Sequence, residues 1–211
     1  MYEKNVFINC PFDEAYVDLL HAITFAISYS GFIPRSALEE VNSGEERLTK
    51  IVKLIKDCRL AVHDISRVEL PASDALPRFN MPFECGIFYG ALSLGDTKQR
   101  QKQFLVLDSE PFRYQKTLSD IAGKDPACHR NDPYEAVACV RRFLNGKGGA
   151  APLPGETHFT DEYRKFQSAL PALLQKVKLT PLEIRKMAYW TDYAAAAQVW
   201  IERRASDPAS T

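Results

Sequence analysis

The sequence predicts an α/β fold in which a parallel sheet of about five strands carries helices on both faces. Two observations lead there. Short apolar stretches alternate with helical repeats of about a dozen residues, the order that βαβ crossovers produce. The strands also end in polar residues, Asn9-Cys10-Pro11, Leu38-Glu39, Asp64 to Ser66 and Asp108, and ligands of such sheets gather at the carboxyl ends.

In chain order, Asn5-Val6-Phe7-Ile8-Asn9 is an apolar strand and Cys10-Pro11-Phe12-Asp13 a turn. Tyr16, Leu19, Leu20, Ile23 and Ile27 then recur at helical spacing until Gly31. Phe32-Ile33-Pro34 opens a second strand reaching Leu38, and Pro34, which cannot donate to a ladder, argues for an edge position or a strand start. Ser43 and Glu46 form a capping box for a helix bearing Leu48, Ile51, Val52, Leu54 and Ile55. A third strand, Arg59 to Ser66, leads through a polar loop containing Pro71 and Pro77 into a helix. Gln103 to Asp108 is a fourth strand, Asp120 to Gly123 a helix end or turn, and residues 125–129 a short fifth strand. Asp132-Pro133 starts another helix through Val137, Val140 and Leu144. The glycine- and proline-rich segment 146–155 is a linker or exposed loop, followed by helices over 160–177 and 181–204. The expected domains are an α/β domain over residues 1–148 and a C-terminal helical extension over 156–206.

A chain of 211 residues buries a core of useful size. Its 27 basic and 27 acidic residues cancel without a basic stripe, which argues against capture of nucleic acid. Cys10, Cys58, Cys85, Cys128 and Cys139 have no paired spacing and read as reduced, mostly buried thiols of a cytoplasmic protein. The amino terminus lacks a signal-peptide build, and no uncharged run approaches bilayer length. His21, His63, His129 and His158 show no metal-ligand spacing, and no glycine-rich phosphate fingerprint follows the first strand. The expectation is no metal and no Rossmann-type dinucleotide.

The stretch Arg78-Phe79-Asn80-Met81-Pro82-Phe83-Glu84-Cys85-Gly86-Ile87-Phe88-Tyr89-Gly90-Ala91 carries the strongest functional signal. Asn80 is placed to cap a helix, Pro82 fits its first turn, and Glu84 lies one turn in, where the helix field favours an ionised carboxylate. Gly86 and Gly90 suggest a close approach to a strand or ligand. Glu84 is the candidate catalytic residue; its rival role is a first-turn acid serving the helix alone.

Val6 to Phe12, His63-Asp64-Ile65-Ser66 and Asn80 to Gly86 resemble the nucleoside 2-deoxyribosyltransferase-like group and, more loosely, Toll/interleukin-1 receptor-like domains that cleave nicotinamide nucleotides in bacterial immunity. The resemblance spans roughly residues 5–144 and implies a flavodoxin-like sheet with a glutamate at the carbon joining sugar to base. Glu84 matches that glutamate, Asp64 the aspartate that binds ribose or positions the base, and Phe7 to Pro11 the first strand and substrate loop. Two departures stand out: Asn9-Cys10-Pro11-Phe12 replaces a serine-rich loop, and Met81-Pro82-Phe83 replaces a tryptophan-cysteine pair.

A carboxylate at C1′ stabilises or attacks the positive charge that develops as the ribosyl bond breaks. Around Glu84, the expected substrate-binding residues are Asn9, Cys10, Pro11, Phe12, Asp64, Ser66, Arg67 and Asn80. Asn9 and the Cys10-Pro11 turn would donate to the leaving base, and Phe12 would stack on it. Arg35, Arg47 or Arg67 would meet phosphate. Asp64 serves equally as a cap for its own loop, His63 as a core hydrogen-bonding residue, and Cys10 and Cys85 as small buried hydrophobes. Phe83, Phe88 and Tyr89, like Tyr189, Trp190, Tyr193 and Trp200, read as packing surfaces, the second group also as a dimer contact. The expected activity is N-glycosidic cleavage of NAD or a related nucleotide, by hydrolysis or ribosyl transfer, in an immunity effector. The alternatives are a non-catalytic nucleotide sensor and a salvage deoxyribosyltransferase. The expected partners are the nucleotide and further copies of the chain, with no cofactor, membrane or nucleic acid.

Overall fold

A computed structural model describes residues 1–39, 44–67, 79–116, 118–121, 125–149 and 151–206. The expectations attached to Ser43, Pro71, Pro77, Arg78 and Gly123 fall outside these residues. Strands β1 (Asn5–Asn9), β2 (Ile33–Ser36), β3 (Leu60–Asp64), β4 (Gln103–Asp108) and β5 (Ala127–Cys128) form one sheet in the order β2-β1-β3-β4-β5. The sheet is parallel: Asn9 lies opposite His63, Asp64 opposite Leu107, and Asp108 opposite Cys128. This is the strand order of a flavodoxin-like α/β fold. Pro34 sits on edge strand β2, as its missing N–H requires.

The chain forms two compact units, Met1–Pro11 with Arg35–Asn131 and Phe12–Pro34 with Asp132–Thr211. In the first, every residue of β1 and β3 is buried, as expected of central parallel strands. Helix α2 (Arg47–Asp57) places Ile51, Leu54 and Ile55 on one stripe, which packs with Phe7 of β1, Ala61 of β3 and Phe88 of helix α3 (Asn80–Leu94). Each such aliphatic side chain removed from water stabilises by about 1.5–3 kcal/mol. A second cluster joins Ile65, Cys85, Val106 and Tyr114 near the β3 and β4 tips. At the other end of the strands, the buried Lys102 ammonium donates to the carbonyl of Ile55 at 2.5 Å and to that of Cys58, closing the end of α2.

The second unit contains α1 (Val17–Tyr29), α4 (Pro133–Leu144), α5 (Glu156–Lys176) and α6 (Trp190–Ala205). Gly31, with φ +76°, turns the chain out of α1, and Asp132 caps α4 by accepting from the Tyr134 N–H at 2.8 Å. The core is aromatic: Phe25 stacks on Phe166 at 5.2 Å, and His21 on Tyr193 at 3.6 Å. Trp190, Tyr193 and Trp200 are buried in it and are not available as a dimer surface.

Four local expectations are corrected. The helix expected over 181–204 begins at Trp190, because Thr180 and Glu183 close a turn of their own. The Thr180 N–H donates to Glu183 Oε2 at 2.8 Å while the Glu183 N–H donates to Thr180 Oγ1 at 3.2 Å. The helix expected from 160 starts earlier, at Glu156 after Gly155. Glu46 occupies the cap of α2 without a side-chain cap bond. Asn80 is the first helical residue of α3 and does not cap it; Phe79 holds that position, with φ −95° and ψ −1°.

Candidate functional site

The chain reverses its lateral direction between β1 and β3, with β2 on the far side of β1. That makes the carboxyl ends of β1 and β3 the topological switch point, where a crevice opens in this class of sheet. Asn9 ends β1, and His63 and Asp64 end β3. The Asn9 Nδ2 lies 2.9 Å from His63 Nδ1 and 2.8 Å from the Met81 carbonyl oxygen, tying both strands to the start of α3. Helix α3 packs over β1 and β3 and beside α2.

Met81, Glu84, Cys85 and Phe88 are the buried residues of α3. Their i, i+3, i+4, i+7 spacing is the stripe by which a helix packs, and Glu84 occupies a place in it suited to an apolar side chain. Glu84 is 7% exposed, and its nearest charged partner is the Arg47 guanidinium at 3.8 Å. Burial pushes its carboxyl up to about 7 against the opposing pull of Arg47. This corrects the expectation that the helix field keeps it ionised: desolvation outweighs that field. At Gly86 and Gly90 an added Cβ would meet nothing within 4 Å among the described residues, so these glycines mark no close approach to a strand among them.

Side chains alternate along a strand, so Asp64 points to the opposite face of the sheet from His63. Its Oδ1 accepts from the Ser66 N–H at 2.8 Å, and its Oδ2 lies 3.0 Å from His129 Nε2. His129 Nδ1 accepts from the Asn131 N–H at 3.0 Å, which leaves the ring hydrogen on Nε2, facing Asp64. Asp64 and His129 are both fully buried. Asp64 therefore caps its own loop and braces β5, and the ribose contact implied by the family resemblance does not fit its surroundings. One strand over, Asp108 Oδ1 accepts from the Ser109 N–H at 2.7 Å and from Arg113, whose Nη2 also donates to the Ser66 carbonyl at 2.6 Å. Burial raises the Asp108 carboxyl, with Arg113 opposing.

Comparison with protein-family models, curated proteins and solved structures finds no match to this chain.

The chemistry of the rim rests on its own atoms. The structure brings together Asn9, His63, the Met81 carbonyl and the helix of Glu84 on one face of the sheet. Cys10 and Pro11 are buried directly after β1, and Ser66 is buried with a hydroxyl that has no hydrogen-bond partner among the described residues. Arg67 and Phe12 are half-buried, Phe12 at the start of the second unit, and Asn80 is exposed on the first turn of α3. Arg47 stands beside Glu84, whereas Arg35 is held by Glu39 at 2.9 Å. His129 and Arg113 escaped the sequence reading: His129 meets Asp64, and Arg113 the Ser66 carbonyl, only through the fold. Among the described residues no group of three or more His, Cys, Asp or Glu can hold a metal ion, and no helix is long and apolar enough to cross a membrane.

Proposed function

We propose that this chain cleaves the N-glycosidic bond of NAD or a related nucleotide, with Glu84 as the reacting carboxylate. One observation carries the reading. Five charged side chains are buried among the described residues, Asp64, Glu84, Lys102, Asp108 and Glu162. Four of them are met by hydrogen bonds or close ion pairs, whereas Glu84 has only a guanidinium at 3.8 Å. A buried carboxylate left without hydrogen bonds, on a helix packed over the switch point of the sheet, favours the reading of a group kept for a ligand rather than for the fold.

In this reaction the C1′–N bond breaks with its electron pair leaving on the base. The ionised Glu84 stabilises the cationic sugar or bonds to C1′, and water or a second acceptor then takes the sugar. A carboxyl titrating near 7 is ionised in half the molecules at neutral pH. Nicotinamide suits such a site because it leaves neutral from a cationic ribosyl bond and needs no general acid. A second reading, a nucleotide sensor without turnover, draws support from Asp64, which is engaged by the protein itself and does not serve a sugar.

Incubation of the purified chain with NAD and with deoxynucleosides, followed by chromatography of released base, separates the readings. Nicotinamide release that rises with pH through about 7 and is lost in Glu84→Gln supports the glycosidase. Deoxynucleoside cleavage with base exchange would move the assignment to a transferase. Nucleotide binding without release of base by the unmodified chain would leave the sensor.

A further inference from the structure

The Asn9 side chain has a fixed polarity. The Met81 carbonyl oxygen can only accept, so the Asn9 atom 2.8 Å from it must be the amide nitrogen. The same nitrogen lies 2.9 Å from His63 Nδ1, so that ring atom must also accept. Both Nδ2 hydrogens are thereby engaged, and the one atom Asn9 can present to a ligand is its carbonyl oxygen, an acceptor. This reverses the expectation that Asn9 donates to a leaving base.

His63 is built to keep that polarity. With Nδ1 accepting, its hydrogen sits on Nε2, which has no hydrogen-bond partner among the described residues. The ring is fully buried among Phe7, Phe88 and Phe104, with centroids 6.0, 5.2 and 5.8 Å away and planes inclined at 77°, 69° and 82°. Such edge-to-face packing receives a ring N–H without an oxygen partner. Burial, aided by the charge of Lys102, lowers the imidazole to about 3. A protonated ring would turn an N–H against the Asn9 amide, so the same burial that keeps His63 neutral keeps it an acceptor.

We infer that Asn9 is a specificity-determining residue that accepts a hydrogen bond from the ligand, and that His63 is the positioning residue that orients it. The inference rests on the proposed ligand site at the β1 and β3 tips. It predicts a ligand with an N–H or O–H group there, either the carboxamide of a nicotinamide-type base or a ribose hydroxyl, and discrimination against ligands that present only acceptors.

The test has a ligand-free and a ligand-bound part. Nitrogen-15 NMR of the whole chain should show His63 protonated at Nε2 and bare at Nδ1 throughout pH 5 to 8, with slowly exchanging Asn9 amide protons. The opposite tautomer, or rapid exchange of those protons, overturns the inference without any variant. Calorimetry on the Glu84→Gln chain then compares NAD with its nicotinic acid counterpart and with NAD lacking one ribose hydroxyl. Loss of about tenfold in affinity for the acid assigns the carboxamide as donor, and the same loss for a deoxy analogue assigns the ribose. His63→Leu should erase the discrimination, and His63→Gln, whose carbonyl can accept, should restore it. Equal affinity for all of these ligands, no binding of any, or discrimination unmoved in His63→Leu overturns the inference. Donor-dependent binding in Glu84→Gln together with no base release by the unmodified chain would overturn the glycosidase reading alone.

Discussion

Replacing Glu84 with glutamine should make the protein more stable, and only above a defined pH. Burial moves the Glu84 carboxyl from 4.5 to about 7. Between these values the folded chain holds a proton that the unfolded chain has released. Stability therefore falls as pH rises through this window and levels off above it. At about 1.4 kcal/mol per pH unit, the penalty above the window is about 3 kcal/mol. Glutamine has the same shape and no charge to desolvate. The contact with Arg47, whose side chain is 61% exposed, is already part of that net shift and is not subtracted again. The gain at pH 8 is then about 3 kcal/mol, roughly 6–12 °C in Tm for a chain of this size. Urea and thermal unfolding of both proteins at pH 4.5 and pH 8 provide the measurement. Taking the difference between two chains that differ at one residue cancels every other titrating group. Equal stability at pH 8, or a less stable variant, would refute the reasoning. That is the outcome expected of a first-turn acid that serves its helix.

Other perturbations address neighbouring contacts. Asp64→Asn leaves one oxygen for two donors, the Ser66 N–H and His129 Nε2, and turns an amide N–H toward one of them; a loss of about 2–4 kcal/mol should appear in urea unfolding. The variant's residual folded fraction should retain ligand affinity, because Asp64 faces away from Asn9. In the second unit, Trp190→Phe removes the indole N–H that donates to buried Thr24 Oγ1 at 2.9 Å; a loss of about 2–3 kcal/mol is expected by denaturant titration.

Patterns carried by consecutive residues were legible in the sequence. The apolar run Gln103–Asp108 is β4 with the expected bounds, and Asp132-Pro133 opens α4 because a capping carboxylate and a fixed φ act within one turn. Pro34 marked an edge strand for the same local reason. Rival local signals were harder to rank: Thr180 and Glu183 close a turn upon themselves, and only the resulting break at Trp190 shows which signal prevailed. Site polarity was not legible. Asn9 could donate or accept until Met81, 72 residues on, settled it, and Asp64 found His129 across a gap of 65 residues. Burial was invisible as well. The position of Glu84 near a helix start argued for an ionised group, and a stripe of buried neighbours argued the reverse.

That stripe is where local and global preferences disagree. Met81, Cys85 and Phe88 pack as an apolar helix face should, and a leucine at position 84 would complete it with less strain on the charge balance of the core. Lys102 shows how the fold treats a buried charge it uses structurally: two carbonyls receive the ammonium, and an aromatic ring lies 4.5 Å beneath it. Glu162 is handled in the same manner, with Arg204 at 2.7 Å and Lys165 at 2.7 Å. Glu84 receives no such treatment, although the Met81 carbonyl one turn before it is met by the Asn9 amide. A chain that meets its other buried charges with hydrogen bonds or close ion pairs, and this one only with a guanidinium at 3.8 Å, keeps a destabilising carboxylate that the fold itself does not need. A local inconsistency of this kind is expected at a functional site. The pH-dependent gain in Glu84→Gln measures its size, and base release measures its use; a gain without any ligand or activity would leave the carboxylate unexplained and the proposed function without its central residue.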